Sequence, residues 1–114
     1  MAKTLKDLAE DLRTLMIELQ SDAHNISSLR PERYNNLRLS FDMAYNPKPH
    51  VIVELSMSAA EYDIKNMEKI SGGLGPDDKF VLRWLNKPET IPYLMECWRN
   101  AEKNRGRVSD KYNV

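Results

Sequence analysis

Cysteine and histidine, the side chains most readily turned to chemistry near neutral pH, are scarce in this 114-residue chain, limited to Cys97, His24 and His50. A nucleophilic cysteine needs a nearby histidine or cation, or a helix N-terminus, to hold it as thiolate. Cys97 instead stands beside Trp98, with Tyr93, Leu94 and Ala101 as helical neighbours, and reads as a small core hydrophobe. The two histidines lie far apart, and no Cys, His and Asp residues have the spacing of a metal site. His50 shares a strand with Glu54, near Ser56 and Ser58, and reads as part of a solvated outer face rather than a site. Gly72-Gly73-Leu74-Gly75 invites a phosphate-loop reading. That chemistry needs Gly-Lys-Ser/Thr at the following helix start, and Pro76-Asp77-Asp78 puts two phosphate-repelling carboxylates there instead. The glycines are expected to cap and turn, and the adjacent Asp77 and Asp78 side chains to diverge. No catalytic residue, metal ligand or cofactor site is marked.

Phosphate recognition is the remaining chemistry with residues behind it. Arg30, Arg33 and Arg38 stand with Tyr34, Asn35 and Asn36. The C-terminal stretch holds Arg99, Lys103, Arg105, Arg107 and Lys111, five bases against the two acids Glu102 and Asp110. Arginine interleaved with tyrosine is what single-stranded nucleic acid uses. The competing reading is an ordinary basic tail.

Five segments must position these residues. Thr4 to about Ser27 reads as one long helix, with Thr4 as N-cap and Asp7 three residues on. Leu5, Leu8, Leu12, Leu15, Leu19 and Ile26 form its apolar stripe. Residues 27–36 connect it to the strongest pattern in the chain. There Leu37, Leu39, Phe41, Met43 and Tyr45 alternate with polar residues, and Val51, Val53, Leu55 and Met57 do so again after Asn46-Pro47-Lys48-Pro49. This predicts an antiparallel hairpin with one apolar face. Met43, Met57, Met67 and Met95 all fall on faces predicted to be buried.

Ser58-Ala59-Ala60-Glu61 matches a capping box, so a helix is expected from Ala59 to about Ile70, ending at Gly72-Gly73. Ala60, Tyr62 and Ile64 also alternate as an extension of the sheet would. Phe80–Leu85 suits a helix started by Pro76-Asp77-Asp78, or a short third strand. From Glu89 to about Asn104, Ile91, Leu94, Met95, Trp98 and Ala101 repeat with helical spacing.

The length suggests one domain, able to bury roughly two-thirds of its unfolded surface. Seventeen basic and seventeen acidic residues cancel, which argues against a globally basic nucleic-acid binder. A single cysteine excludes an intramolecular disulfide and fits a reducing cytoplasm. MAKTLKDLAEDL lacks a signal-peptide core, and no apolar run is long enough to span a membrane.

The expected fold is α+β. A long N-terminal helix and an antiparallel hairpin precede C-terminal helices packed on the sheet, in one domain over 1–104 with a mobile basic tail over 105–114. The expected function is that of a small cytoplasmic, non-enzymatic interaction protein, an adaptor, regulator or accessory factor with an unidentified protein partner. A two-stranded hairpin is not stable alone, so a homodimer is expected through Leu5, Leu8, Leu12, Leu15, Leu19, Phe41 and Met43. The alternatives are nucleic-acid association through Arg30, Arg33, Tyr34, Arg38, Arg99, Lys103, Arg105 and Arg107, and small-molecule binding. Element order alone implies no function.

Overall fold

Thr4 and Asp7 close the first helical turn reciprocally. The Asp7 N–H donates to Thr4 Oγ1 at 3.2 Å, and the Thr4 N–H donates to Asp7 Oδ2 at 3.0 Å. Two otherwise orphaned donors are thus satisfied, with aspartate standing where glutamate is usual. The helix that follows, α1, spans Leu5–Ala23. The structure, a computed structural model, describes residues 3–23, 31–43, 45–104 and 108–109. Leu5, Leu8, Leu12 and Met16 lie on one face of α1 and are all within 1 % of complete burial.

A 3₁₀ turn over Pro31–Asn36 leads into β1 (Arg38–Phe41), which pairs antiparallel with β2 (His50–Leu55). The predicted hairpin is therefore present, but the alternation of its first arm stops at Phe41. Residues 42–43 and 45–49 belong to the connection instead of to more strand. Tyr45 is consequently 82 % exposed and Met43 only half-buried.

The expected helix over Ala59–Ile70 is absent. Ser56-Met57 turns the chain into β3 (Ser58–Asp63), which pairs antiparallel with β2, and β4 (Glu68–Gly72) returns along β3. A helix would have left one edge of β2 unsatisfied, and a two-stranded sheet is marginal. The period-two reading also buries Ala60, Tyr62 and Ile64 together on the core face. The local capping-box match yields to those tertiary demands.

With β3 and β4 filling the sheet, Phe80–Leu85 is not a third strand. It belongs to α2 (Asp78–Leu85), entered through a 3₁₀ turn at Gly75–Asp77. Phe80, Val81, Trp84 and Leu85 point from α2 into the core. The last helix, α3 (Thr90–Asn104), follows its predicted course. Beyond it, Val108–Ser109 form a two-residue strand, β5, paired with Phe41 and Ser40 of β1. The expected unstructured tail thus meets the sheet at these two positions. Residues 105–107 and 110–114 lie outside the described residues.

The sheet order is β4-β3-β2-β1-β5, antiparallel throughout. Its apolar face (Leu39, Phe41, Val51, Val53, Leu55, Ala60 and Tyr62) joins Leu8 and Leu12 of α1, Trp84 of α2 and Leu94 and Trp98 of α3 in one core. Among the described residues, no helix is long and apolar enough to cross a membrane.

Candidate functional site

The sequence's candidate nucleophile is a structural group. Cys97 is 1 % exposed and its thiol donates to the Lys3 carbonyl at 3.1 Å, tying α3 to the start of the chain. Burial, reinforced by the negative charges of Glu96 and Asp7, pushes the thiol up to about 11. A protonated thiol is neither a nucleophile nor a metal ligand.

The acidic residues after the glycine loop are latches. Asp78 accepts the Tyr62 hydroxyl at 2.6 Å, the Leu74 N–H at 3.1 Å and the Lys69 ammonium at 3.2 Å. Burial alone would raise the Asp78 carboxyl, but the bonds from Tyr62, Leu74 and Lys69 outweigh it and hold the group below its usual range. Tyr62 is held above its usual value, first by burial and then by Asp78. Asp77 turns the other way, accepting the hydroxyl of fully buried Tyr34 at 3.2 Å. The two side chains diverge as expected, one to the 3₁₀ turn before β1 and the other to β3 and β4. A phosphate would have to displace these bonds. Gly72 is needed for backbone reasons: φ is +72°, and a Cβ there would stand 2.2 Å from the Ala59 carbonyl oxygen.

His50 departs from the expectation of a solvated outer face and is completely buried. Its Nε2 accepts the Asp42 N–H at 2.9 Å, and its Nδ1 lies 2.8 Å from the Lys48 carbonyl oxygen. That pairing assigns the neutral tautomer with the proton on Nδ1. Phe41 and Trp98 pack edge-on against its ring, with centroids 6.4 and 5.0 Å away. Beside it, Glu61 accepts from Asn46 Nδ2 at 2.8 Å and from Ser71 Oγ at 3.4 Å. His50 and Glu61 therefore strap the 42–49 connection onto β2 and β3. With both ring nitrogens engaged, His50 has no free position for acid–base work.

The proposed nucleic-acid residues are dispersed in their fates. Tyr34 is buried against Asp77 and offers no ring for stacking. Arg38 is exposed on β1 directly opposite Glu54, and Arg99 and Lys103 are exposed on α3. Arg33 lies in the 3₁₀ turn, while Arg30, Arg105 and Arg107 fall outside the described residues. The proposed oligomer contacts are also consumed within one chain. Leu5, Leu8, Leu12 and Phe41 are core residues, and Leu15, Leu19 and Met43 pack half-buried against them. The physical reason is that α1 covers the apolar face of its own sheet.

A different surface is left open. One side of β4 pairs with β3, and its other side has no strand among the described residues; at the opposite end the sheet closes with β5, which is only two residues long and likewise paired on one side. Every residue of β4 is exposed. Two apolar side chains lie along this edge, Met67 at 37 % and Ile70 at 48 % exposure. Ile70 is the extra residue of a bulge, because Ser71 pairs with Glu61 and Lys69 with Tyr62. Met57, fully exposed, projects from the turn at the far end of β3. Met57 and Met67 were both predicted to be buried; each instead belongs to a turn, where alternation no longer dictates facing. Met67 takes φ +57°, a conformation glycine adopts at least cost, yet a long apolar side chain stands there.

Cross-strand partners share a face of a sheet. The register therefore places Glu54, Glu61, Asp63 and Glu68 on the face opposite the core, with Asp63 directly beside Glu68. Lys69 lies on the other face, held by Asp78. Sequence reasoning missed this surface because it depends on β3 and β4 being strands. The signal available was the alternation of Ala60, Tyr62 and Ile64 between two short turns, at Ser56-Met57 and over 64–67.

Among the described residues, no three His, Cys, Asp or Glu side chains are grouped to hold a metal ion. Comparison with protein-family models, with curated proteins and with solved structures finds no match.

Proposed function

We propose that this chain is a non-enzymatic interaction protein that works through protein–protein contacts made at the β4 edge. The observation that carries this reading is the exposed, singly paired strand Glu68–Gly72 with Met67 and Ile70 beside it. An unpaired strand is a template for another chain, and the charges of Glu68 and Lys69 and the bulge at Ile70 restrict which chain can add here. Methionine adapts its shape to a contact at low cost. The groups that would perform chemistry are meanwhile tied up as struts: Cys97 on Lys3, His50 on Asp42 and Lys48, Asp77 on Tyr34, and Asp78 on Tyr62.

The dimer expectation keeps a narrower basis. β1, β2 and β3 already have neighbours on both sides, so a second copy extending the sheet would have to use β4 or the outer side of the two-residue β5. A buried single thiol fits a reducing compartment, and we place the protein in the cytoplasm on that ground.

The test compares tagged wild type with Ile70→Lys, both shown to be folded by circular dichroism, as baits in extracts of the native host. Partners retained by wild type and lost by the variant support the reading. Identical partners on both baits would overturn it. Light scattering coupled to size exclusion shows whether the partner is another copy.

A further inference from the structure

We infer that the β4 edge takes up an extended segment of another protein that carries a lysine or arginine where it passes Glu68. This rests on the interaction reading above and adds the chemistry of the partner. Three features on the edge specify it together.

The backbone edge calls for a strand: one added here would continue the antiparallel sheet, main-chain bonds supplying affinity and alternate side chains supplying selectivity. Met67 and Ile70 offer apolar contact to some of those side chains. The rest project over the face where Asp63 and Glu68 stand side by side. Asp63 spends its carboxylate on the Asn66 N–H at 2.9 Å and on Asn66 Nδ2 at 3.3 Å. Glu68 is exposed, and the nearest lysine along the strand, Lys69, projects from the opposite face to Asp78. Like charges directly opposite one another are unfavourable, and a cation on the added strand would relieve them.

The same features argue against a second copy of β4. A copy laid antiparallel about Ile70 would set Glu68 against Gly72, supplying no cation to either carboxylate. Nucleic acid would meet the carboxylates with its own negative charge.

The probe is a synthetic heptapeptide of alternating lysine and valine, titrated into the full chain at low salt while backbone amides are followed by NMR. The same peptide with glutamate for lysine and an N-methylated version that cannot extend a ladder serve as comparators. The lysine peptide is expected to bind with shifts concentrated at 67–72. The N-methylated peptide should bind far more weakly. Glu68→Lys should weaken the lysine peptide about fivefold and reverse the preference toward the glutamate peptide. Equal binding of the glutamate or N-methylated peptide, shifts elsewhere, no binding, or self-association through 67–72 insensitive to Glu68→Lys would each overturn the inference. If the peptides fail while Ile70→Lys still loses its native partners, the interaction reading stands and the basic-strand inference falls.

Discussion

Replacing Gly72 by alanine, with Gly75→Ala as its control, isolates a steric demand from a dihedral one. Both glycines have positive φ, +72° and +65°. A left-handed non-glycine residue costs about 1–2 kcal/mol, offset by about 0.4–1 kcal/mol from the stiffer unfolded chain. Gly75→Ala should therefore cost about 1 kcal/mol, since its new Cβ meets nothing within 4 Å. At Gly72 the Cβ would lie 2.2 Å from Ala59 O, 3.1 Å from Ala59 C and 3.1 Å from Ala60 Cα. All three are backbone atoms, so no side chain can swing aside. Relief requires β3 and β4 to separate locally, straining the 3.0 Å bond from the Gly73 N–H to the Ala59 carbonyl and the Ala60–Gly72 pairing. At about 0.5–1.5 kcal/mol per hydrogen bond, Gly72→Ala should cost about 2–4 kcal/mol in total. Urea unfolding of both variants at constant m-value gives the difference directly. A Gly72→Ala cost equal to that of Gly75→Ala within about 0.5 kcal/mol would refute the close approach of the β3 and β4 backbones.

Trp98→Ala should cost about 3–5 kcal/mol, because the ring is 2 % exposed and packs on Phe41 and His50; an unchanged melting temperature would mean that α3 does not seat there. Asp78 has a folded-state carboxyl below its unfolded value of about 3.9, so its contribution is present above that pH and disappears as pH falls through the lower folded value. Asp78→Asn should accordingly be destabilised by about 1–2 kcal/mol at pH 7, with the gap to wild type closing on acidification; a gap independent of pH would remove the charge from the account. Cys97 should resist Ellman's reagent at pH 8 in the native protein and react fully in denaturant, whereas fast native labelling would contradict its burial and raised thiol.

Where short-range chemistry decides, the chain can be read directly. Thr4 and Asp7 announce α1, and alternation over Leu37–Phe41 and Val51–Leu55 announces the first strand pair. The residues over 59–72 defeat local reading, because alanine, glutamate and methionine favour helices and Ser58 with Glu61 imitates a helix start. What decides there is the need of β2 for a second neighbour, a demand that no local window contains. The interior of the site is illegible for a related reason. Tyr34 meets Asp77 across 43 residues, and His50 is buried because the connection before it folds back to use its two nitrogens. A polar residue at an outward position signals exposure only if nothing later in the chain covers it. The β4 edge was invisible while its residues were assigned to a helix.

The strand order has a consequence for how fast the parts assemble. β2, β3 and β4 pair in succession over residues 50–72, each through a short turn, so their closure entropy is small. β5 on β1 and the Cys97 thiol on Lys3 join segments from distant parts of the chain, the latter 94 residues apart. The three-stranded meander can therefore serve as the folding nucleus, with the C-terminal helix docking after the barrier. In a chevron experiment, Val53→Ala should then slow refolding, while Trp98→Ala should act mainly by speeding unfolding. Such a protein would lose its C-terminal seal first under stress and keep the β4 edge in shape until the meander itself gives way.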